Sequence, residues 1–327
     1  MKKTTKLLIV CVMLCTILVT SLSFVSCNKT KDEFKVGVCQ LVQHVALDAA
    51  TLGFKESLEK EMEKAGKKVT IDIQNASGDA PTCTTIVNSF VSGNYDLIMA
   101  NATPALQAAV NSTLKIPVLG TSITEYGVAL GIKDFNGTVG TNVSGTSDLA
   151  PLDKQADMFA ELLPQAKKIG ILYCSAEANS VYQANVVKAA LEGKNAGYQV
   201  KIYTFTDSND INAVLNLACT ESDALYIPTD NTAASNTEII DQVATEKNVP
   251  IIAGEEGIAT GCGIATLSIS YYNIGAKTGK MAADILLGKS KIETMAIQYD
   301  EAPVYKYSAV RCEKYGITVP ENYQAIV

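Results

Sequence analysis

The chain has 327 residues, with 27 Lys and Arg against 34 Asp and Glu, one His and no Trp. This acidic balance repels polyanions and argues against nucleic-acid binding, which rests on neutralising phosphates with Lys and Arg. A single histidine gives a His-based catalytic triad little to build on, so the expectation is a protein that is not an enzyme.

Lys2, Lys3 and Lys6 precede an apolar run over residues 7–19 that continues, with a few hydroxyl residues, to Val25. This is the layout of a bacterial export signal, assigned to residues 1–26. Its close, Phe24-Val25-Ser26-Cys27, resembles a lipobox, in which a small residue precedes a cysteine that is acylated and becomes the new N-terminus. Phe24 departs from the Leu usual at that position. The other reading of the same run is an uncleaved anchor, since about 19 apolar residues reach across a bilayer. Either way the remainder is expected outside the cytoplasm and held at the membrane, on the cell surface or in a periplasm. Residues 27–33 are polar and read as a lipidated tether, so folding starts near Phe34.

Beyond the signal and Cys27, cysteines stand at 39, 83, 174, 219, 262 and 312. They form no C-x-x-C and have no neighbouring His, so no metal site is expected, nor a redox pair, and no cofactor is implied. An exported chain is permitted disulfides. Cys39 and Cys174, however, sit in apolar runs where a thiol packs as a small hydrophobe, and mostly free thiols are expected.

From Phe34 short β-rich runs alternate with amphipathic stretches, the pattern of βαβ units and parallel sheets. Strands are predicted at 35–41, 69–74, 97–100 and 117–121. The first helix carries Leu47, Ala50, Phe54 and Leu58 on one face. A second block repeats the plan, with strands at 168–174, 199–205, 224–227 and 250–253 and helices at 180–193, 209–220 and 232–246. Between the blocks, residues 137–148 are rich in Gly, Ser, Thr and Asn and read as a crossing segment. After Gly263 come an extended run over 265–272, a helix through Ile274, Met281 and Ile285, a stretch at 295–299, and a last strand and helix. The fold class is α/β, with two Rossmann-like lobes built on parallel sheets and joined by a three-strand hinge. Lobe one takes residues 34–145 and 273–298; lobe two takes 146–272 and 299–327.

In such sheets ligands bind beyond the carboxyl ends of the strands, where helix N-termini offer unpaired N–H groups. The segments that follow the strands supply the ligand-binding candidates: His44, Thr103, Thr121 and Ser122 from lobe one, and Asn179, Ser180, Asp230, Asn231 and Glu255 from lobe two. Thr103-Pro104 has the form of an N-cap followed by proline at the first helical position, whose N–H groups would hold a carboxylate. Asp230 is the counter-charge for an ammonium, or a plain helix cap; Asn179 and Ser180 open a helix in the same way. His44 touches ligand or faces solvent in the cleft. Of the adjacent Glu255 and Glu256, at most one points inward. Gly275-Ala-Lys-Thr-Gly279-Lys280 fails as a phosphate loop, being one residue short and lying within a helix.

Gln40-Leu-Val-Gln-His44, Leu47 to Ala50, Gly53-Phe54, Ala102-Thr103-Pro104, Glu177 to Ser180, Pro228 to Thr232, and the run from Tyr272 to Gly288 keep an order and spacing over nearly the whole mature chain. In this the chain resembles the ABC-transporter substrate-binding lipoproteins of the tryptophan/tyrosine-type group. The resemblance implies a type I periplasmic-binding fold whose lobes close on a small molecule, an amino acid and in characterised relatives an aromatic one. It also implies a permease and an ATPase as partners and places Thr103, Asn179, Ser180, Asp230 and Asn231 at the cleft. Glu125-Tyr126 stands where family members often carry Asp-Pro. A monomer is expected. The rival readings are the same fold binding a sugar or nucleoside, resting on tyrosines such as Tyr126 or Tyr272, a sensory lipoprotein, and an extracytoplasmic enzyme.

Overall fold

The computed structural model describes residues 31–194, 196–300 and 302–326. The export signal, Cys27 and the first residues of the tether lie outside the described residues. The strands are β1 (Glu33–Gln40), β2 (Lys68–Asn75), β3 (Leu97–Asn101), β4 (Val118–Ile123), β5 (Val143–Ser147), β6 (Lys168–Cys174), β7 (Gln199–Phe205), β8 (Ala224–Ile227), β9 (Ile251–Ala253), β10 (Ala265–Ser268), β11 (Gln298–Tyr299), β12 (Val304–Tyr307) and β13 (Gln324–Ala325). The helices are α1 (Val45–Lys64), α2 (Ala80–Ser92), α3 (Thr103–Ser112), α4 (Tyr126–Leu130), α5 (Leu152–Leu162), α6 (Ala178–Glu192), α7 (Ile211–Glu221), α8 (Asn231–Ala234), α9 (Thr237–Lys247), α10 (Glu256–Gly261), α11 (Tyr271–Leu286) and α12 (Ala309–Lys314).

The strands form two sheets, in the orders β2-β1-β3-β4-β5-β11 and β7-β6-β8-β9-β10-β12-β13. Every pairing of the first is parallel; the second is parallel as far as β10, and β12 then runs antiparallel to it. Each sheet is thus the core of one α/β lobe, and the two repeat one strand order. Strands β3, β4, β6, β8 and β9 are buried almost throughout, as expected where helices cover both faces of a parallel sheet. On the first sheet Phe54, Leu58 and Met281 fill one face while Phe90, Val87 and Leu106 fill the other. On the second, Phe159, Val187 and Tyr226 oppose Leu215, Ile240 and Ile258. The six mature cysteines are buried free thiols.

Helix α11 returns from the second sheet to lie along α1 and over β4 and β5. The approach is close because Gly53, Gly275 and Gly279 face the opposite backbone: a Cβ at Gly275 would run into the carbonyl of Ala50, and one at Gly279 into that of Phe54. The glycines that mimic a phosphate loop in sequence therefore serve helix packing.

Three elements differ from expectation. The Gly/Ser/Thr-rich stretch contains a strand, β5, whose hydroxyls are used internally: Ser144 to the Met295 carbonyl at 3.0 Å, Thr146 to Thr278 at 2.8 Å and Ser147 to the Thr124 carbonyl at 2.9 Å. Gly145 sits there at φ 147°, where a side chain would strike the Gly120 backbone and the Tyr126 hydroxyl. The helix expected at 232–246 is two, because the short α8 ends in a turn at Ser235 and Asn236, where Asn236 Nδ2 donates to the Thr232 carbonyl at 2.7 Å. Tyr271 and Tyr272 open α11 instead of ending a strand, since Ser270 caps the helix through the Asn273 N–H.

Candidate functional site

The carboxyl ends of the two sheets meet across a cleft. His44, just past β1, places Nε2 3.3 Å from Asn231 Oδ1, just past β8. Gln183 of α6 reaches Thr124, past β4, at 3.4 Å. The His44–Asn231 contact lies at the points where strand order reverses in each sheet, between β1 and β3 and between β6 and β8, the usual place for a ligand, and the Gln183–Thr124 contact lies beside it at the end of β4.

On the first lobe two helices at the cleft, α1 and α3, begin without side-chain caps, whereas Asp79 caps α2 and Glu125 caps α4. His44 precedes α1 in an extended conformation and makes no capping bond. The cap role expected of Thr103 is corrected: Ala102 holds the N-cap position, Thr103 is the first helical residue, and Pro104 the second. The cause is a sharp turn at Ala102, which takes φ 91° while its N–H donates to the Thr121 carbonyl, so the helix starts one residue early. Thr121 Oγ1 is 3.0 Å from Thr146 Oγ1 and fully buried. Ser122 follows at φ 57°, and its Oγ is buried without a hydrogen-bond partner. Two non-glycine residues at positive φ on adjacent strand ends mark stored strain, which collects at functional sites.

On the second lobe carboxylates saturate the helix starts. Asp230 is a helix cap, with Oδ1 accepting from the Ala233 N–H at 2.8 Å and Oδ2 from the Cys174 N–H at 2.7 Å. Burial and the neighbouring Glu177 push its pKa above the ordinary carboxylate value. Glu255 caps α10 through the N–H groups of Gly257 and Ile258, at 2.6 and 2.5 Å, and burial pushes it up to about 7. Of the adjacent pair Glu255 is the buried one; Glu256 pairs with Lys306 at 2.6 Å. Asn179 and Ser180 lie in the first turn of α6, whose N-cap position belongs to Glu177. Asn179 Nδ2 donates to the Thr229 carbonyl at 2.9 Å, and its Oδ1 is buried without a partner.

Sequence reasoning missed Glu177, Asp148 and Tyr271. Glu177 reaches across to α8 and accepts from Asn231 N at 3.0 Å, Asn231 Nδ2 at 2.6 Å, Thr232 N at 2.9 Å and Thr232 Oγ1 at 2.8 Å. Asp148 ends β5; its Oδ2 accepts from the Tyr271 hydroxyl at 2.9 Å, and its Oδ1 is buried with no partner. Burial pushes Asp148 up to about 6, the Tyr271 and Thr124 hydroxyls pulling back toward the charged form. Near it Ser270 N donates to Asp300 at 2.8 Å, so the segments leaving β5, β10 and β11 are laced together. A carboxylate close behind a buried strand was the available signal at both acidic positions, directly after β5 for Asp148 and three residues past β6 for Glu177.

Two cavities open between the lobes. One of about 350 Å³ lies between the start of α1, at Val45, Ala46 and Ala49, and Glu255, Tyr271 and Val304. The other, about 290 Å³, has Leu41, Val42 and Pro104 on one wall and Glu177, Asn231 and Thr232 on the other. Among the described residues no group of three His, Cys, Asp or Glu is placed to hold a metal, and no helix is long and apolar enough to cross a membrane.

The family of ABC transporter substrate binding proteins matches this chain over residues 35–325. The chain belongs to that family. Its members bind solutes for import and are not enzymes, and the two-lobed fold is the type I periplasmic-binding architecture. A tyrosine-binding protein from Clostridioides difficile is 38% identical over 280 residues, covering 85% of this chain and 80% of the relative. A solved domain from Streptococcus pneumoniae in complex with L-Trp superposes with a TM-score of 0.84 at 29% identity, covering 90% of this chain and all of that one. A ligand-free, open substrate-binding protein from Clostridium difficile is nearer in sequence, at 37%, yet superposes at only 0.67, with 90% and 99% covered. The better match to the L-Trp complex, at lower identity, agrees with the His44–Asn231 and Gln183–Thr124 contacts: the lobes of this substrate-binding protein stand closed.

Proposed function

We propose that this chain is an extracytoplasmic lipoprotein, acylated at Cys27, that captures an aromatic amino acid between its lobes and hands it to an ABC permease and its ATPase as a monomer. The observation that carries the ligand class is the 38% identity to a tyrosine-binding protein over 85% of the chain. The site chemistry supports it. The uncapped N-terminus of α3, with Thr103 and the unpartnered Ser122 hydroxyl, offers donors for a carboxylate. Acceptors for an ammonium lie at Asp148 Oδ1, past the neighbouring strand β5, and at Asn179 Oδ1 on the other lobe. The counter-charge assigned from sequence to Asp230 passes to Asp148 because both Asp230 oxygens are engaged by backbone N–H groups. Thr121, Ser180, Asn231 and Glu255 then shape the walls. A ligand touching both lobes stabilises the closed form by its preference for that form.

Calorimetric titration with the amino acids, sugars and nucleosides tests the ligand class. Tyrosine or tryptophan is expected to bind with micromolar or tighter affinity; a sugar or nucleoside binding while every amino acid fails would refute it. The chain has no Trp, so indole emission in a tryptophan complex belongs to the ligand alone. Cys27→Ala is expected to release the protein from the membrane fraction, and its full retention there would refute acylation.

A further inference from the structure

His44, the only histidine in the chain, is held in one protonation geometry by its neighbours. Asn231 Nδ2 lies 2.6 Å from Glu177 Oε2, and a carboxylate only accepts, so the amide N–H₂ must face Glu177. The Asn231 carbonyl oxygen therefore faces His44, and because that oxygen also only accepts, His44 Nε2 must carry the hydrogen in the 3.3 Å contact. Burial disfavours a second proton on the ring. What is left is a bare lone pair on Nδ1, which is buried and has no partner. Glu177 is itself fixed by its bonds to Asn231 and Thr232, so the whole relay is rigid.

A buried acceptor without a donor is costly unless a ligand supplies one. The fold suggests which part of the ligand does so. His44 follows β1 and Asp148 follows β5, and the sheet order sets β3 and β4 between them, a separation of three strand spacings or roughly 14 Å. An aromatic amino acid is shorter than that span and bridges it together with the Asp148 and His44 side chains, which extend from their strand ends, and a hydrogen bond at each end. The cavity of about 290 Å³ beside Asn231 offers Leu41, Val42 and Pro104 as apolar walls there.

We propose that His44 Nδ1 reads the far end of the ligand side chain by accepting a hydrogen bond from a ring-borne donor, a phenol hydroxyl or an indole N–H, so that the cleft selects tyrosine- or tryptophan-like amino acids over phenylalanine. This rests on the amino-acid reading given above. The test compares affinities for tyrosine and phenylalanine in the parent and in His44→Leu. The parent is expected to prefer tyrosine by about tenfold or more, and the variant to bind both alike. Loss of the His44–Asn231 contact weakens closure for both ligands equally and cancels in the ratio. A second readout needs no variant. With ¹⁵N-labelled histidine the spectrum reports this one ring, and its Nδ1 resonance is expected to move on adding tyrosine and to stay put on adding phenylalanine. A tyrosine-to-phenylalanine ratio unchanged in His44→Leu, or an Nδ1 resonance that responds alike to both, would overturn this inference alone. No binding of any aromatic amino acid by the parent would overturn the ligand class as well.

Discussion

The two rims of the cleft are built from one topology and differ most at one matched pair of helix starts, α3 on lobe one and α8 on lobe two. On lobe one the helices that start at His44 and Ala102 have no side-chain cap, and the backbone is strained at Ala102 and Ser122. On lobe two Asp230 caps α8, the counterpart of α3, and Glu177 adds a further set of bonds to it, while α6, the counterpart of α1, is uncapped and Glu255 caps α10 as Glu125 caps α4. Open helix starts offer N–H groups to an anion, while carboxylate-capped ones refuse it. On the proposed reading the ligand carboxylate meets the open start of α3, while its ammonium meets Asp148, past β5 of the same sheet, and Asn179 across the cleft.

The comparison breaks most severely if lobe two loses its saturation. Glu177→Ala strands the backbone N–H groups of Asn231 and Thr232 and is expected to cost about 3 kcal/mol of folding stability, read by chemical denaturation; a loss near zero would mean water takes over these bonds freely. Asp148→Asn leaves the ammonium without its charged partner, and tyrosine affinity is expected to fall on the order of a hundredfold, about 3 kcal/mol, by calorimetry. Unchanged affinity would remove Asp148 from the site.

Acidity sharpens the same contrast. Folded Asp148 and Glu255 titrate at about 6 and about 7, above their ordinary values, because burial opposes the charge. A carboxyl raised in the folded state contributes stability that is full below its unfolded value and is lost as pH rises through the folded one. The ligand-free protein is therefore expected to lose stability from these two groups between about pH 4 and pH 8, on the order of 3 kcal/mol from Asp148. His44, lowered by burial, acts with opposite sign, its part growing as pH rises toward the ordinary histidine range. The difference between melting curves of the parent and Asp148→Asn isolates the carboxyl share, and parallel curves across that window would contradict it. The smallest effect is expected at Ala102→Gly, which relieves the positive φ on lobe one and should add about 1 kcal/mol of stability as a rise in Tm.

Much of this architecture is legible in the residues. Runs such as Lys168–Cys174 and Ala224–Ile227 are apolar because both faces of a central parallel strand are covered. Strand β5 is hidden because its Ser and Thr hydroxyls are paired inside the fold rather than turned to water, so composition signals a loop where packing makes a strand. The site is legible by position and less so by role. His44 and Asn231 follow strand ends and meet, as the topology requires. That Asp230 serves its own helix while Glu177 serves another depends on side-chain direction, which spacing along the chain does not encode. Asp148 closes the stretch taken for a crossing segment, and its importance emerges only once Tyr271 comes up beside it from more than a hundred residues away.

The return of α11 to lie against α1 also governs the order in which the polypeptide can complete itself. Nascent or translocating chain emerging before Tyr271 carries every central strand of lobe one but lacks the helix that shields Phe54 and Leu119. That greasy surface stays unprotected while β6 to β10 of lobe two are threaded out behind it, so the lobe begun first waits on most of the other, and truncation before Tyr271 would damage the N-terminal lobe.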